Sequence, residues 1–255
     1  MSGHSKWSTI KHKKGAKDAK RGKIFTRIIK EITIAARDGG ADPDTNPSLR
    51  LAIQNAKGAN MPKDTMERAI KKGSGDDAAD LQEYTFEGYA SNGIAVFVEA
   101  TSDNNNRVVA NVRAVFSKYG GELGTHGSLS FMFDRKGVFT IEKELLKDWE
   151  LEDLEFELID AGLEEIDVQE EDVLIYTTFD SYGDMQSKLD EMKISAKSTE
   201  LQRIPTTTKA LDVEKSKQVL KLIEKMEEDD DVNVVYHTLE MTDELAAALE
   251  AEDEK

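Results

Sequence analysis

The side chains of this sequence best placed to do chemistry are the lysines near its start. Between Lys6 and Lys23 stand eight basic residues, Lys6, Lys11, Lys13, Lys14, Lys17, Lys20, Arg21 and Lys23, against a single acid, Asp18. Such a segment, with Gly, Ser and Ala between the charges, suits a phosphate backbone, because each cation that neutralises a phosphate releases a condensed counterion. A block of like charge is also the usual form of a solvated tail, so the interleaved residues matter. Trp7, with Ile10 and His12 close by, is wasted on a tail that only solubilises. It serves either as a platform for a stacked base or, the reading preferred here, as an apolar anchor holding the arm to its own domain. Arg27 and Lys30 continue the basic run, so the candidate nucleic-acid contacts are Lys6, Trp7, Lys11, His12, Lys13, Lys14, Lys17, Lys20, Arg21, Lys23, Arg27 and Lys30.

Catalytic groupings are absent by comparison. The four histidines, His4, His12, His126 and His237, have no metal-ligand spacing, and neither a Walker A sequence nor Gly-x-Gly-x-x-Gly occurs. No catalytic residue, cofactor or metal ligand is assigned, and an enzyme is disfavoured. Gly120, Gly121, Gly124 and Gly127 could cradle a phosphate, but a helix stop and tight turn explain them more simply. The acidic run from Glu227 to Asp231 reads as a solvated helix end before it reads as a cation site. Asn104-Asn-Asn-Arg107 and Asp134-Arg135-Lys136-Gly137 are two further basic spots, accounted for first by capping and salt bridges.

The charge distribution narrows the class of partner. Residues 1–75 hold 17 basic and 7 acidic side chains, whereas the rest hold 17 and 44, giving -17 for the whole chain of 255 residues. An acidic body repels nucleic acid, so only the basic end can approach it. The absence of cysteine excludes disulfides, thiolate metal sites and cysteine nucleophiles, and agrees with a reducing cytoplasm. No apolar run approaches the roughly 18 residues of a membrane span, and the start lacks the apolar core of a signal peptide. A cytoplasmic, monomeric protein with no membrane partner is expected.

The remaining elements must position the arm. Ile24, Phe25, Ile28, Ile29, Ile32, Ala35 and Ala36 recur at helical spacing up to Gly39-Gly40. Asn46-Pro47 starts a second helix ending before Gly58, and Met61-Pro62-Lys63-Asp64 a third ending at Gly73. Past Gly73-Ser-Gly75 the period becomes strand-like. Strands are predicted at Tyr84–Tyr89, Gly93–Ala100 and Ser128–Phe133, with a helix from Val108 to Tyr119 between the last two. From Gly137 the order is strand (Val138–Ile141), helix (Leu151–Ala161), strand (Glu164–Val168), strand (Val173–Thr178), helix (Tyr182–Met192), strand (Ser195–Ile204), the βαββαβ pattern of ferredoxin-like domains. A helix (Val213–Met226) and a strand (Val232–His237) then supply what the preceding unit lacks, since otherwise one sheet face stays uncovered. The expected fold is therefore multi-domain α+β: an N-terminal helical bundle, then two α+β sandwich domains, the second ferredoxin-like and inserted into the first. The expected boundaries are 1–78 for arm and helices, 79–136 plus 205–242 for the discontinuous domain, 137–204 for the insert, and 243–255 for an acidic tail, loosely helical or disordered.

Several motifs together resemble one family. They are Ser2-Gly-His-Ser-Lys-Trp7, Gly22-Lys-Ile-Phe25, Asp42-Pro43 with Asn46-Pro47 and Leu49-Arg50, Asn60-Met-Pro62 followed by Arg68-Ala-Ile70, and Phe131-Met-Phe-Asp-Arg-Lys-Gly137. The chain resembles the YebC/PmpR family of bacterial proteins, whose mitochondrial relatives include the translational activator of cytochrome oxidase, from Ser2 to about residue 240. The resemblance implies three domains, a cytoplasmic location and a role in gene expression. It carries two functions, a DNA-binding transcriptional regulator and, as the alternative, a ribosome-associated RNA-binding factor that relieves stalling at proline-rich sequences. The partner is accordingly promoter DNA, or ribosomal RNA and the ribosome. By resemblance the contacts fall on Lys6, Trp7, Lys11, Lys13, Lys14, Lys17, Lys20, Arg21 and Lys23. No base-reading module is evident for DNA, and a Lys-, Gly- and Ser-rich arm suits the shape and phosphates of structured RNA. Thr125-His126-Gly127-Ser128-Leu129 departs from the plain Gly-Ser-Val type of turn expected there, and the acidic tail is a second departure.

Overall fold

A computed structural model describes residues 17–75 and 80–253. Its helices are α1 (Lys17–Gly39), α2 (Pro47–Gly58), α3 (Lys63–Gly73), α4 (Asn105–Lys118), α5 (Leu151–Ile159), α6 (Tyr182–Glu191), α7 (Val213–Glu227) and α8 (Asp243–Asp253). The strands are β1 (Gln82–Ala90), β2 (Ile94–Ser102), β3 (Glu122–Leu123), β4 (Phe133–Glu142), β5 (Leu163–Val168), β6 (Asp172–Thr178), β7 (Ser198–Pro205) and β8 (Val232–His237). They form two four-stranded sheets, ordered β3-β1-β2-β8 and β5-β6-β4-β7. The architecture is thus multi-domain α+β, and the segment carrying the second sheet is inserted between strands of the first. Among the described residues, no helix is long and apolar enough to cross a membrane. The chain divides into two compact units: Met1–Arg27, Ala79–Asp134 and Ile204–Lys255 form one, Ile28–Ala78 and Arg135–Arg203 the other.

In the first unit β2 is central and buried on both faces. Its alternation sends Ile94, Val96, Val98 and Ala100 toward α4 and α7, where they meet Val112, Phe116, Leu222 and Ile223. Ala95 and Phe97 point the other way, against Leu129, Phe133 and Tyr236. Of the elements from beyond residue 205, β8 pairs antiparallel with β2 and extends the sheet, and α7 joins α4 on the face of Ile94, Val96, Val98 and Ala100.

Two sequence expectations change here. Ser128–Phe133 is not a strand: Ser130–Met132 is a 3₁₀ turn, and β4 starts at Phe133 and runs through Glu142. The edge position beside β1 belongs to Glu122–Leu123, paired with Tyr89 and Gly88. Glycine explains this close approach, because a Cβ at Gly121 would lie 2.7 Å from the Tyr89 carbonyl oxygen and one at Gly88 2.5 Å from that of Glu122. The acidic tail is also firmer than expected. Asp243–Asp253 is a helix whose Leu245 and Leu249 are buried in the same core as α7, and Thr242 Oγ1 accepts the Leu245 N–H at 3.2 Å at its start.

In the second unit the strand order β5-β6-β4-β7 is that of a ferredoxin-like sheet. One face packs Phe139, Ile141, Val173 and Ile175 against Leu154 and Leu158 of α5 and Met185 and Leu189 of α6. Gly137 leaves room for the Tyr182 ring, which a Cβ there would meet at 2.5 Å. The edge strand β7 is held by a helix of the N-terminal segment. Asn55 on α2 donates to the Thr199 carbonyl at 2.9 Å and accepts the Thr199 N–H at 2.9 Å, so a side-chain amide satisfies backbone groups that an edge strand would otherwise expose. At Gly58 the helix touches the chain so closely that a Cβ would fall 1.7 Å from the Lys197 carbonyl oxygen.

Candidate nucleic-acid interface

The basic end enters the described structure at α1. At 100° per residue, positions 20, 23, 27 and 30 share one stripe, whereas buried Ile28, Ile32, Ala35 and Ala36 occupy the opposite side. Of the cations expected to contact nucleic acid, Arg21 and Lys23 are exposed, and Arg27 and Lys30 are half-buried. The Arg21 guanidinium lies 5.1 Å from the Phe25 ring centroid, a cation–π contact that keeps it along the helix surface. Lys17 and Lys20 fall in the first turns of α1, and their side chains lie outside the described residues, as do Lys6, Trp7, Lys11, His12, Lys13 and Lys14 altogether.

The helices after α1 are fixed by polar caps that double as tethers. Asn46 caps α2 by accepting the Leu49 N–H at 3.0 Å, and its Nδ2 donates to the carbonyls of Ala35 and Gly40 at 2.7 and 2.8 Å. One buried amide thereby ends α1 and starts α2. On the exposed sides of α2 and α3, Lys57, Lys71 and Lys72 have no carboxylate partner among the described residues. Lys63 lies 3.5 Å from Glu67, and Arg50 donates to the carbonyls of Pro43 and Asp44.

The other spots singled out in the sequence resolve as internal structure. Asn104 caps α4 by accepting the Arg107 N–H at 3.0 Å. The Arg107 guanidinium grips Asp231 with two bonds, Nε to Oδ2 at 2.9 Å and Nη2 to Oδ1 at 3.0 Å, and also meets Asp103 at 2.9 Å. The hydrogen bonds it donates to Asp231 and Asp103 raise its pKa further, so it is a fixed cation already matched to carboxylates. Asp231, at the end of the acidic run, is therefore an ion-pair partner for α4. Among the described residues no group of three or more His, Asp or Glu side chains could hold a metal ion. Lys136 pairs with Glu164 at 3.0 Å, and Arg135 stacks 4.3 Å from the Phe179 ring centroid.

The glycine-rich loop does bind an anion, but one of its own. Glu87 is buried in β1 and accepts the N–H of Gly127 at 2.7 Å and that of Leu129, while its backbone carbonyl takes the Gly124 N–H at 2.7 Å. Gly127 has a φ of +83°, which turns its N–H into the loop at no steric cost. The amides that a phosphate would need are thus occupied by a carboxylate. His126 sits beside the carboxylate with Nδ1 4.0 Å from Glu87 Oε1 and 3.2 Å from Thr85 Oγ1, which assigns the unusual loop residue to this cluster. Sequence reasoning passed over Glu87; the signal was a lone acid between Phe86 and Gly88 in an otherwise apolar strand end.

Comparison with known proteins decides the family. Residues 5–76 match the model of the TACO1/YebC protein N-terminal domain, and residues 81–239 match that of the TACO1/YebC second and third domain. The chain belongs to the TACO1/YebC family. A relative from Amoebophilus asiaticus is 51% identical over 241 residues, 94% of this chain and 98% of its own length, and bears the name probable transcriptional regulatory protein. Another with that name, from Photorhabdus laumondii, is 45% identical over 251 residues, 98% of this chain and 100% of its own. The crystal structure of a conserved hypothetical protein, Aq1575 from Aquifex aeolicus, superposes with a TM-score of 0.79 at 40% identity, covering 89% of this chain and 93% of that one. The TACO1/YebC motifs noted in the sequence now have structural reasons: Asn46 joins two helices, and Asn60, at a φ of +56°, makes the turn that buries Met61 before α3.

Proposed function

We propose that this protein is a nucleic-acid-binding regulator of gene expression, with duplex DNA as its target, and that it acts by binding without catalysing a reaction. The observation that carries the reading is the segregation of charge: a basic arm and the cationic stripe of α1 at one end of a chain that is otherwise strongly acidic. Phosphates are met by Lys6, Lys11, Lys13, Lys14, Lys17, Lys20, Arg21, Lys23, Arg27 and Lys30, with Trp7 and His12 among them, and the body is repelled from the backbone it does not contact. The three-part division at residues 78, 136 and 204 fits this reading, with the helical part as the binding module. The name shared by the relatives supports DNA over RNA as the target.

The test is the salt dependence of binding to a labelled duplex, read by fluorescence anisotropy for the full chain. Replacing Lys11, Lys13 and Lys14 by Ala should weaken binding and lower the slope of log K against log salt by about 3, since each phosphate contact contributes about 0.9 on B-DNA. An unchanged slope overturns the phosphate role. Tighter binding of a structured RNA than of any duplex would keep the surface and reassign the target.

A further inference from the structure

Helix α5 of the ferredoxin-like segment carries an exposed apolar patch in a strongly acidic setting. Leu154 and Leu158 turn α5 toward the core, yet on its outer side Phe156 and Ile159 are 76% and 60% exposed. Three residues apart on a helix, they are neighbours and form one patch. Beside them a crevice of about 360 Å³ runs between α5 and α6, lined by Phe156, Glu157, Asp160, Asp184, Lys188 and Glu191 among others. Lys188 is the one cation of that lining, and Glu157 already holds it at 2.7 Å. That hydrogen bond raises the pKa of Lys188, so the pair counts as neutral. Asp160, Asp184 and Glu191 remain, and no basic residue occupies the last turn of α5 to offset its carbonyl end.

We propose that this face of α5 and α6 docks a Lys- and Arg-rich polypeptide segment carrying an apolar side chain that covers Phe156 and Ile159. Charge complementarity selects that occupant. Residues 135–203 hold 20 acidic against 8 basic side chains, so nucleic acid and anionic membranes are repelled from this inserted segment. The same face of a second copy would bring like charges together. A neutral apolar partner would strip water from three carboxylates without pairing them. A cationic segment pairs with the carboxylates while its apolar residue closes over the Phe156 ring, the arrangement of an apolar hot spot within a charged rim.

The probe is a fluorescein-labelled amphipathic peptide of Lys, Arg, Leu and one Phe, titrated with the full chain and followed by anisotropy. Phe156→Ala with Ile159→Ala, both at exposed positions that the fold does not need, should weaken binding at least about tenfold. Asp160→Asn, Asp184→Asn and Glu191→Gln together should weaken it about tenfold at low salt and flatten its salt dependence. Glu144→Gln, Glu170→Gln and Glu171→Gln, which remove as many charges elsewhere on the same unit, should leave affinity within about twofold. Equal weakening by this control set, unchanged affinity in the apolar pair, or no binding by the wild-type chain overturns the proposal.

Discussion

Replacing Glu87 by Gln tests whether the glycine loop is held by a buried carboxylate. Each carboxylate oxygen accepts one loop amide, Gly127 on Oε1 and Leu129 on Oε2. Glutamine keeps the size but offers only one acceptor oxygen, so one N–H must face its NH₂ group. Leaving a buried donor unpaired costs about 1–3 kcal/mol, and losing charge assistance on the other bond adds about 1. The loop should open more easily by about 2–4 kcal/mol, which corresponds to amide exchange about 30- to 1,000-fold faster at Gly127 and Leu129. Leu129 is fully buried against Phe97 and Phe133, so the 3₁₀ turn at Ser130–Met132 should loosen with it. Hydrogen exchange followed by NMR reads these amides directly. Exchange at both within about threefold of wild type would show that the carboxylate does not hold the loop, and the argument against a phosphate cradle would fall with it.

Further outcomes follow from the packing. Gly58→Ala places a methyl 1.7 Å from a backbone oxygen and should cost about 3 kcal/mol in urea unfolding, whereas Gly22→Ala, with nothing within 4 Å of the added carbon, should stabilise α1 by up to about 1 kcal/mol. Leu249→Ala should cost about 2–5 kcal/mol if α8 is part of the core, and a drop below about 0.5 would return the tail to a loosely held helix. Burial pushes the Tyr182 phenol up to about 12, against a smaller opposing effect of the Thr199 side chain. Below the ordinary value of about 10 both folded and unfolded chains keep the proton, and stability is complete. Between pH 10 and 12 only the unfolded chain ionises, so stability falls as pH rises, by at most about 3 kcal/mol, and Tyr182→Phe should remove that part of the alkaline slope in denaturation curves compared side by side.

Helix and strand periods were legible wherever one face is buried. Val232–His237 and the start of α7 at Val213 come straight from the pattern, because apolar residues there repeat at the period of their element. The same reasoning failed at Ser128–Phe133, where an apolar alternation exists but its backbone amides are captured by Glu87, 42 residues away at Leu129. At the tail it reached a helix only as a loosely held alternative to disorder, because Ala and Glu dominate Asp243–Asp253 and two leucines anchor it. No local pattern announces that a distant core has room for Leu245 and Leu249.

By itself the sequence determined the charge asymmetry, the element types and the family, since these depend on residue identity and short-range spacing. Only the tertiary structure decided which polar groups are already used. Arg107 and Asp231, 124 residues apart, neutralise each other, and Glu87 fills the loop that glycines alone would offer to phosphate. Asn55 spends its amide on Thr199, 144 residues away. Conversely, the sequence places Phe156 and Ile159 within a helix without saying which way they face, and the fold leaves them in water. The physical reason is the same in each case: whether a donor, acceptor or apolar surface is satisfied depends on what folding brings against it, and sequence spacing does not carry that information.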